Sequence, residues 1–424
     1  MSEVTRRSFL QTSAGAVAAT SLLTGTARAD VNSKIRVAVL GVNGRGKTHI
    51  KAIGEIEGAD VVLLCDPDEQ VLAKRAAEFE KKYGRKVETE TDMRKVFDRD
   101  DIDVVTVATP NHWHSLATIW ACQAGKDVYV EKPGSHNLFE GRKMIEAAKK
   151  YKRIVQHGVQ LRSQPAIQEG VEHLRKGTIG DVYMARGLVF RWRPSIGHKP
   201  DEKAPSYLDW NLWQGPAPRQ KYVDNLIHYN WHWFWKYGNG ELGNNGVHSL
   251  DLCRWGLDAE YPTRVVSSGG RYAYDDDQQT PDTHVVAYEF DGGKQITWQG
   301  TSCNRHKNDF VTFFGSKGTL ILGTSGGYRI LDAKDKEIEK VDGNQGMSEH
   351  AQNFIDAIRN NEPLNLNAEI EIGHKSTLLC HLGNIAHRTG RTMTCDPANG
   401  HIQNDEDAMA LWTREYEPGW EPKV

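Results

Sequence analysis

The most constraining feature of this sequence is an apolar segment that breaks into glycines and continues with a helical pattern. Residues 34–46 read KIRVAVLGVNGRG, and a second apolar run over residues 59–65 ends in Asp66. A strand, a glycine-rich turn, a helix and a second strand ending in a carboxylate form the βαβ unit typical of dinucleotide-binding proteins. The sequence therefore predicts a nucleotide site here; the alternative is an ordinary loop between a strand and a helix.

The residues of this turn have separate predicted roles. Gly41 permits the tight turn, Gly46 permits close packing of the helix on the sheet, and free N–H groups at the helix start hold a pyrophosphate. Asn43 replaces the middle glycine of the G-x-G-x-x-G pattern, and asparagine tolerates positive φ better than most residues. Asp66 is expected to bind the ribose hydroxyls and to repel a 2′-phosphate, which favours NAD over NADP. The predicted cofactor turn consists of Gly41, Val42, Asn43, Gly44, Arg45 and Gly46.

The size and charge of the chain narrow the class of protein. Its 424 residues suffice for two domains, each with a core of its own. The net charge of −3 gives no reason to expect nucleic acid as a partner. No apolar run after residue 30 is long enough to cross a bilayer, so we expect no stable membrane anchor.

Residues 1–29 have the pattern of a twin-arginine export signal. Arg6 and Arg7 precede a mildly apolar segment, and residues 27–29 read ARA, an A-x-A cleavage site. The alternative is a chance arginine pair on a disordered tail. The pattern predicts the twin-arginine translocase as a partner and a periplasmic or otherwise exported location. Because no dependable nicotinamide pool exists outside the cytoplasm, we expect a tightly bound cofactor that is regenerated in place.

Strands and helices continue to alternate after Asp66. Apolar runs lie near residues 86–89, 102–108, 127–130 and 153–157, and helical patterns cover residues 68–83, 92–98 and 138–151. This alternation predicts a doubly wound parallel sheet of the Rossmann type, in an α/β domain that we assign to residues 30–158. The unbroken apolar strand at 102–108 is typical of a sheet covered on both faces.

The second half of the chain changes character. Strand patterns lie near residues 181–190, 264–273, 282–290, 294–301 and 308–314, and helical patterns cover residues 244–257, 349–360 and 370–388. This series predicts an α+β domain over residues 159–395, with a largely antiparallel open sheet that serves substrate binding and oligomerisation. Residues 396–424 form a polar C-terminal tail, and its rings Trp412, Tyr416 and Trp420 are expected to pin it to the body.

Two loops that follow predicted parallel strands carry candidate chemistry. Thr109-Pro110 and Glu131-Lys132-Pro133 occupy positions beyond the carboxyl ends of strands, where such sheets bind ligands. Lys132 is a candidate acid/base, because burial and a nearby nicotinamide cation would lower its pKa toward the working pH. The alternative is a surface Lys-Pro turn.

Taken with the glycine turn, Thr109-Pro110-x-x-x-His114 and Glu131-Lys132-Pro133 resemble motifs of the glucose-fructose oxidoreductase, inositol dehydrogenase and MocA superfamily over residues 34–390. The resemblance implies an NAD(P)-dependent oxidoreductase in which Lys132 assists proton transfer at a sugar hydroxyl while nicotinamide takes the hydride. It also implies a homo-oligomer formed through the open sheet face. Further cofactor contacts are expected from Thr109, Pro110, Asn111, His114, Glu131, Lys132 and Gln160.

The family's second signature is a glycine-rich turn leading to Asp-x-x-x-His, which residues 238–251, GNGELGNNGVHSLD, resemble. His248 fits the histidine as a catalytic and substrate-binding residue; the alternative is a core or capping histidine. Asn244 replaces the aspartate, and a spacing of four places both residues on one helical face. Because an amide cannot accept a proton, proton handling is expected from Lys132 and His248.

Further substrate contacts are expected from Trp231, Arg162 and Asn244. Trp231 lies in the aromatic run YNWHWFW, and flat rings suit the C–H faces of a pyranose, although such clusters often serve packing. The alternative for Arg162 is an ion pair at the domain interface. We predict no metal, because His112 and His114 begin a helix and no Asp, Glu or Cys cluster joins them.

Three functions remain open on the sequence. The first is NAD(P)-dependent oxidation or reduction of a sugar, cyclitol or glycoside hydroxyl. The second is redox-neutral glycoside cleavage by transient oxidation, which suits a trapped cofactor and the missing aspartate. The third is non-catalytic binding of a sugar.

Overall fold

The computed structural model describes residues 34–424, so the predicted signal at residues 1–29 lies outside the described chain. Within these residues, no helix is both long and apolar enough to cross a membrane. Two sheets of very different construction organise the described part.

The first sheet contains six parallel strands in the order β3-β2-β1-β4-β5-β6. Its strands are β1 Ile35–Leu40, β2 Ala59–Cys65, β3 Glu88–Glu90, β4 Val104–Val107, β5 Asp127–Val130 and β6 Val155–His157. The helices around it are α1 Arg45–Gly54, α2 Glu69–Tyr83, α3 Met93–Phe97, α4 Asn111–Gln123 and α5 Leu138–Tyr151. The prediction of a Rossmann-type sheet is confirmed. The strand order reverses between β1 and β4, where such sheets form a ligand crevice.

The second sheet contains nine strands and is mixed, because β7 runs parallel to β12 while the other pairings are antiparallel. Its strands are β7 Val182–Phe190, β10 Arg264–Gly270, β11 Thr283–Phe290, β12 Lys294–Thr301, β13 Val311–Gly315, β14 Gly318–Leu322, β15 Tyr328–Asp332, β16 Glu337–Val341 and β17 Met393–Thr394. A separate ribbon pairs β8 Asp201–Glu202 with β9 Tyr222–Val223. The prediction of a largely antiparallel domain is therefore confirmed. The sequence patterns missed its strands β14, β15 and β16, which lie within residues 318–341.

Helices cover one face of the second sheet. The remaining helices are α6 Pro165–Arg175, α7 Trp210–Gln214, α8 Val247–Leu257, α9 Met347–Asn360, α10 Ile370–Thr389 and α11 Glu406–Ala410. Val286, Tyr288 and Trp298 alternate with more exposed neighbours along their strands and join one core with residues of α8 and α10. A π-helical turn, Leu242–Gly246, precedes α8 where the sequence predicted a continuous helix from residue 244.

Late segments of the chain return to the first sheet. Phe354 and Ile355 of α9 pack in the same core as β1 and β2. In the tail, the Trp420 ring lies 5.5 Å from Trp113 and 5.8 Å from Trp120 of α4, between ring centroids. The two domains are therefore joined by shared cores rather than by a single linker.

A buried ion pair fixes the start of the second domain against α8. Arg162 Nε donates to both carboxylate oxygens of Asp251, at 3.0 and 2.8 Å, and the two side chains are 4% and 1% exposed. Ser376 of α10 also donates to Asp251, at 2.6 Å. Burial alone would raise the pKa of Asp251, but the charge of Arg162 holds it below its usual value. Arg162 thus forms the interface ion pair that was the alternative on the sequence, and its role as a substrate contact stays a prediction.

We predict that Arg162→Ala lowers the free energy of unfolding by about 3–5 kcal/mol, because it leaves the Asp251 charge buried without its partner. Denaturant titration measures this change. Arg264→Ala is the matched control: it removes an exposed pair with Glu289 and should cost less than about 1 kcal/mol. Equal losses in the two variants would contradict the role of the buried pair.

Candidate active site

A cleft opens where the strand order of the first sheet reverses, and residues of the second domain form its opposite wall. The loops after β1, β2, β4 and β5 all reach it. Thirteen of the predicted site residues line this cleft: Gly41, Asn43, Gly44, Arg45, Asp66, Thr109, Pro110, Asn111, His114, Glu131, Lys132, Trp231 and Asn244. Residues that the sequence brought together by motif are thus neighbours in space.

The glycine turn is shaped by two positions that exclude a side chain. Gly41 has φ 79°, and a Cβ atom on Gly46 would stand 1.9 Å from the Gly41 carbonyl oxygen, so neither position accepts a side chain. A Cβ on Gly44 would meet no atom within 4 Å, so this glycine leaves open space at the cleft. Arg75 of α2 donates to the carbonyls of Val42 and Asn43, each at 2.9 Å. This buried arginine, which no sequence pattern marked, fixes the turn from behind.

Asp66 lies at the end of β2 with its carboxylate held in place. It accepts hydrogen bonds from the backbone N–H groups of Val42 and Asp68, at 2.9 and 3.1 Å. Burial raises its pKa to about 6, although these two donors act in the opposite direction. Because an oriented carboxylate and open space meet at the end of β2, the residues present fit an adenosine ribose.

Glu131 links three parts of the cleft floor. Its Oε1 accepts from Arg45 Nε at 2.6 Å and from His49 Nε2 at 2.9 Å, and its Oε2 accepts from the Lys132 N–H at 3.2 Å. Burial alone would raise the pKa of Glu131, but the charge of Arg45 and the hydrogen bond from His49 hold it well below its usual range. His49, 1% exposed, was not recognised from the sequence.

Lys132 carries the only candidate acid/base amine among the residues that line the cleft. Its Nζ donates to the Asn244 carbonyl oxygen at 2.7 Å and to Asn244 Oδ1 at 3.2 Å. Burial lowers the pKa of Lys132 to about 8; Glu131 and Glu241 act against this, while Arg45 and Arg193 reinforce it. The amine therefore changes protonation state near neutral pH.

An aromatic segment of the second domain, residues 228–239, contributes a wall of the cleft. Trp231 and His232 stack with ring centroids 3.6 Å apart, and the Tyr229 hydroxyl accepts from Asn244 Nδ2 at 3.3 Å. His228 Nε2 donates to Asp68 at 3.0 Å, beside the predicted ribose position. The sequence marked this aromatic run but singled out only Trp231, because nothing local places residues 228–232 over a distant strand end.

His248 and Gln160 do not line this cleft. They line a separate, smaller cavity with Arg191 and Asn245. Burial, with the positive charge of Lys132, lowers the pKa of His248 to about 3. A ring with this pKa is neutral at working pH, so it can exchange hydrogen bonds but cannot store a proton. Lys132, with its pKa of about 8, therefore stays the candidate for proton transfer, and the catalytic role of His248 stays a prediction.

Comparison with known proteins now identifies the family. Residues 35–159 match the family model described as oxidoreductase family, NAD-binding Rossmann fold, and residues 181–421 match that of its C-terminal alpha/beta domain. The chain belongs to the glucose-fructose oxidoreductase, inositol dehydrogenase and MocA family. It is an enzyme of an oxidoreductase family with an NAD-binding domain.

Relatives of this family member include sugar and cyclitol enzymes. It is 25% identical over 341 residues to a scyllo-inositol 2-dehydrogenase (NAD(+)) of Bacillus subtilis, covering 77% of this chain and 87% of the relative. A glycosyl hydrolase family 109 protein of a Shewanella species is 33% identical over 172 residues, only 35% of this chain and 38% of the relative. A levoglucosan dehydrogenase structure with NADH and levoglucosan shares the fold, with a TM-score of 0.66, 18% identity and coverage of 85% and 99% of the two chains.

We predict that Asn244→Asp raises the pKa of Lys132, because a carboxylate would replace the amide oxygen that lies 3.2 Å from Nζ. The pH midpoint for acylation of Lys132 by an amine-reactive reagent, followed by peptide mass spectrometry, should rise from about 8 by about one to three units. Lys82, on α2, serves as the internal control and should label identically in both proteins. An unchanged midpoint would show that Asn244 does not set the charge state of Lys132.

Proposed function

We propose that this protein is an NAD-dependent oxidoreductase that transfers a hydride between nicotinamide and a carbon bearing a hydroxyl in a sugar, cyclitol or glycoside. The observation that carries the proposal is the Lys132 amine, half-buried between the cofactor turn and the second domain, with a pKa of about 8. The dehydrogenases among its relatives support the substrate class, and the NADH-bound neighbour supports the cofactor.

Each residue of the cleft has a role in this proposal. The neutral Lys132 amine accepts the hydroxyl proton during oxidation and returns it during reduction. Asn244 holds Nζ through its carbonyl and amide oxygens and adds no charge. Trp231 and His232 offer a flat wall to a sugar ring and help to exclude water. When bound, NAD supplies the hydride acceptor.

We further propose NAD rather than NADP, and tight binding of that cofactor. Asp66 would stand against a 2′-phosphate, and the guanidinium of Arg45 is engaged by Glu131. Two backbone hydrogen bonds hold the second domain against the first domain beside the cleft. The Glu69 N–H donates to the Tyr207 carbonyl at 2.9 Å, and the His112 N–H donates to the Tyr237 carbonyl at 3.3 Å. These contacts hold one wall of the cleft in place, which supports the proposal of tight binding.

The twin-arginine pattern at residues 1–29 supports the proposal that the folded enzyme acts outside the cytoplasm with its cofactor already bound. The open face of the second sheet is the surface that we propose for homo-oligomer formation, in accord with the family resemblance.

A second candidate is redox-neutral cleavage of a glycoside by transient oxidation. Two observations favour it: the partial match to glycosyl hydrolase family 109 proteins, and Asn244 at the position of the family aspartate. In that reaction the hydride returns to the carbon from which it came, so the aglycone leaves without net change in the nicotinamide. Lys132 would handle the same proton.

We predict that the purified protein carries nicotinamide and that one member of a panel of hexoses, inositols and aryl glycosides changes its reduced-nicotinamide absorbance. A lasting change supports the oxidoreductase, and aglycone release without net change supports the glycosidase.

Lys132→Ala should lower turnover by about a hundredfold or more while leaving nicotinamide bound. A protein that neither carries nor binds nicotinamide would refute both, and a fully active Lys132→Ala variant would remove this lysine from the mechanism.

We predict that Asp66→Ala weakens NAD binding by about 10- to 100-fold, because charge-assisted hydrogen bonds to the ribose are lost. Equilibrium binding of NAD to the cofactor-stripped protein measures this effect, and sugar affinity should change little. Asp291→Ala, in an exposed turn between β11 and β12, is the matched control. Equal losses of NAD and sugar affinity would reject the ribose role.

A further inference from the structure

A further cavity, apart from the cofactor cleft and from the smaller cavity beside His248, lies between α10, the loop after β5 and the C-terminal tail. We call it the second cavity. Its volume is about 430 Å³, within the range of small-molecule sites. His381, Asn384 and Arg388 reach it from one face of α10, while Trp235 and Lys236 reach it from the aromatic segment of the second domain. None of these residues lines the cofactor cleft. We propose that this cavity binds a sugar acid, through its carboxylate and its hydroxyl groups.

Within the described residues, two cations at this cavity form no ion pair, although the carboxylate of Glu415 also lines it. Among residues 34–424, neither Lys236 nor Arg388 forms an ion pair within 4 Å or donates a hydrogen bond, although the Arg388 guanidinium lies 5.2 Å from the centre of the Trp235 ring. Burial lowers the pKa of both groups, and for Lys236 only the charge of Glu415 opposes that effect. Arg414 adds a third cation, but its Nη2 already pairs with Glu140 at 2.7 Å. Glu415 is the one carboxylate among the described residues that line the cavity, so the cationic groups outnumber it and an anion is their complement.

Neutral polar groups at the wall suit the hydroxyls of a sugar. Asn384 is 5% exposed; its Nδ2 donates to the Asn239 carbonyl at 2.9 Å, while its Oδ1 has no partner within the described chain. His136 is 8% exposed, and neither of its ring nitrogens forms a hydrogen bond of normal geometry within the described chain. The backbone of Trp235 lies close enough to raise its pKa slightly. Burial nevertheless holds the pKa of His136 well below its usual value, so the ring is neutral. Unpartnered groups of both kinds favour a ligand with donors and acceptors over a bare anion.

The second cavity is distinct from the cofactor cleft, but one hydrogen bond joins their walls. Asn239 lines the second cavity, and its Oδ1 accepts from Nδ2 of Asn111, which lines the cleft, at 3.0 Å. Asn239 Nδ2 donates to the His136 carbonyl at 3.0 Å. A ligand here would therefore contact the residues that hold the turn after β4, without occupying the position of the dinucleotide.

The test is calorimetric titration of the NAD-saturated, full-length protein with D-glucuronate, and with D-glucose and acetate as probes of each half of the ligand. We expect saturable glucuronate binding at least tenfold tighter than that of either probe. Arg388→Gln and Lys236→Met should each weaken it at least tenfold, and Lys132→Ala should leave it unchanged. Arg264→Gln, which removes an exposed guanidinium on the second sheet, is the matched control.

Four results would overturn the proposal. The first three are the absence of saturable glucuronate binding, binding that survives both Arg388→Gln and Lys236→Met, and binding lost in Lys132→Ala, which would place the ligand in the cleft. Equal affinity for acetate or glucose would also exclude a sugar acid as the ligand. Because Arg388 forms no hydrogen bond or ion pair within residues 34–424, its replacement removes none, and an unchanged unfolding midpoint verifies that the variant is folded.

Discussion

The buried carboxylate of Glu131 is the interaction on which the rest of the site depends. It joins the glycine turn through Arg45, helix α1 through His49 and the end of β5 through the Lys132 N–H. A carboxylate that is 4% exposed is tolerated only when its lone pairs are satisfied. The same three donors that satisfy Glu131 therefore fix the separation between the glycine turn and the lysine.

This arrangement also determines the charge of the lysine. Burial opposes an ammonium group, and Arg45 and Arg193 oppose it further, whereas Glu131 and Glu241 favour it. Each of these carboxylates is itself paired with one of these arginines, so their combined effect on the lysine is small. Burial then decides the balance, and the amine titrates near neutrality. An aspartate in place of Asn244 would add an unpaired negative charge and shift the balance toward the ammonium form.

Local patterns in the sequence predicted the parts of the fold whose contacts lie close in the chain. The βαβ unit, the turn after β4 and Glu131-Lys132-Pro133 were found because strand ends in a parallel sheet lie at one edge. Arg75, His49 and the partnership of Arg162 with Asp251 were missed or left open, because their partners lie 32, 82 and 89 residues away. No periodicity carries information about such pairs. His248 was expected in the cleft on its motif spacing, yet it lines a different cavity.

The aromatic segment of the second domain unites these observations, because it borders both cavities. Tyr229 and Trp231 line the cofactor cleft, and a few residues later Trp235 and Asn239 line the second cavity. The segment is held to the first domain by hydrogen bonds at the end of β2 and at the start of α4. The segment is therefore a wall that the two cavities share. A ligand that contacts Lys236 in the second cavity would thus touch the same segment whose Tyr229 and Trp231 face the cofactor cleft.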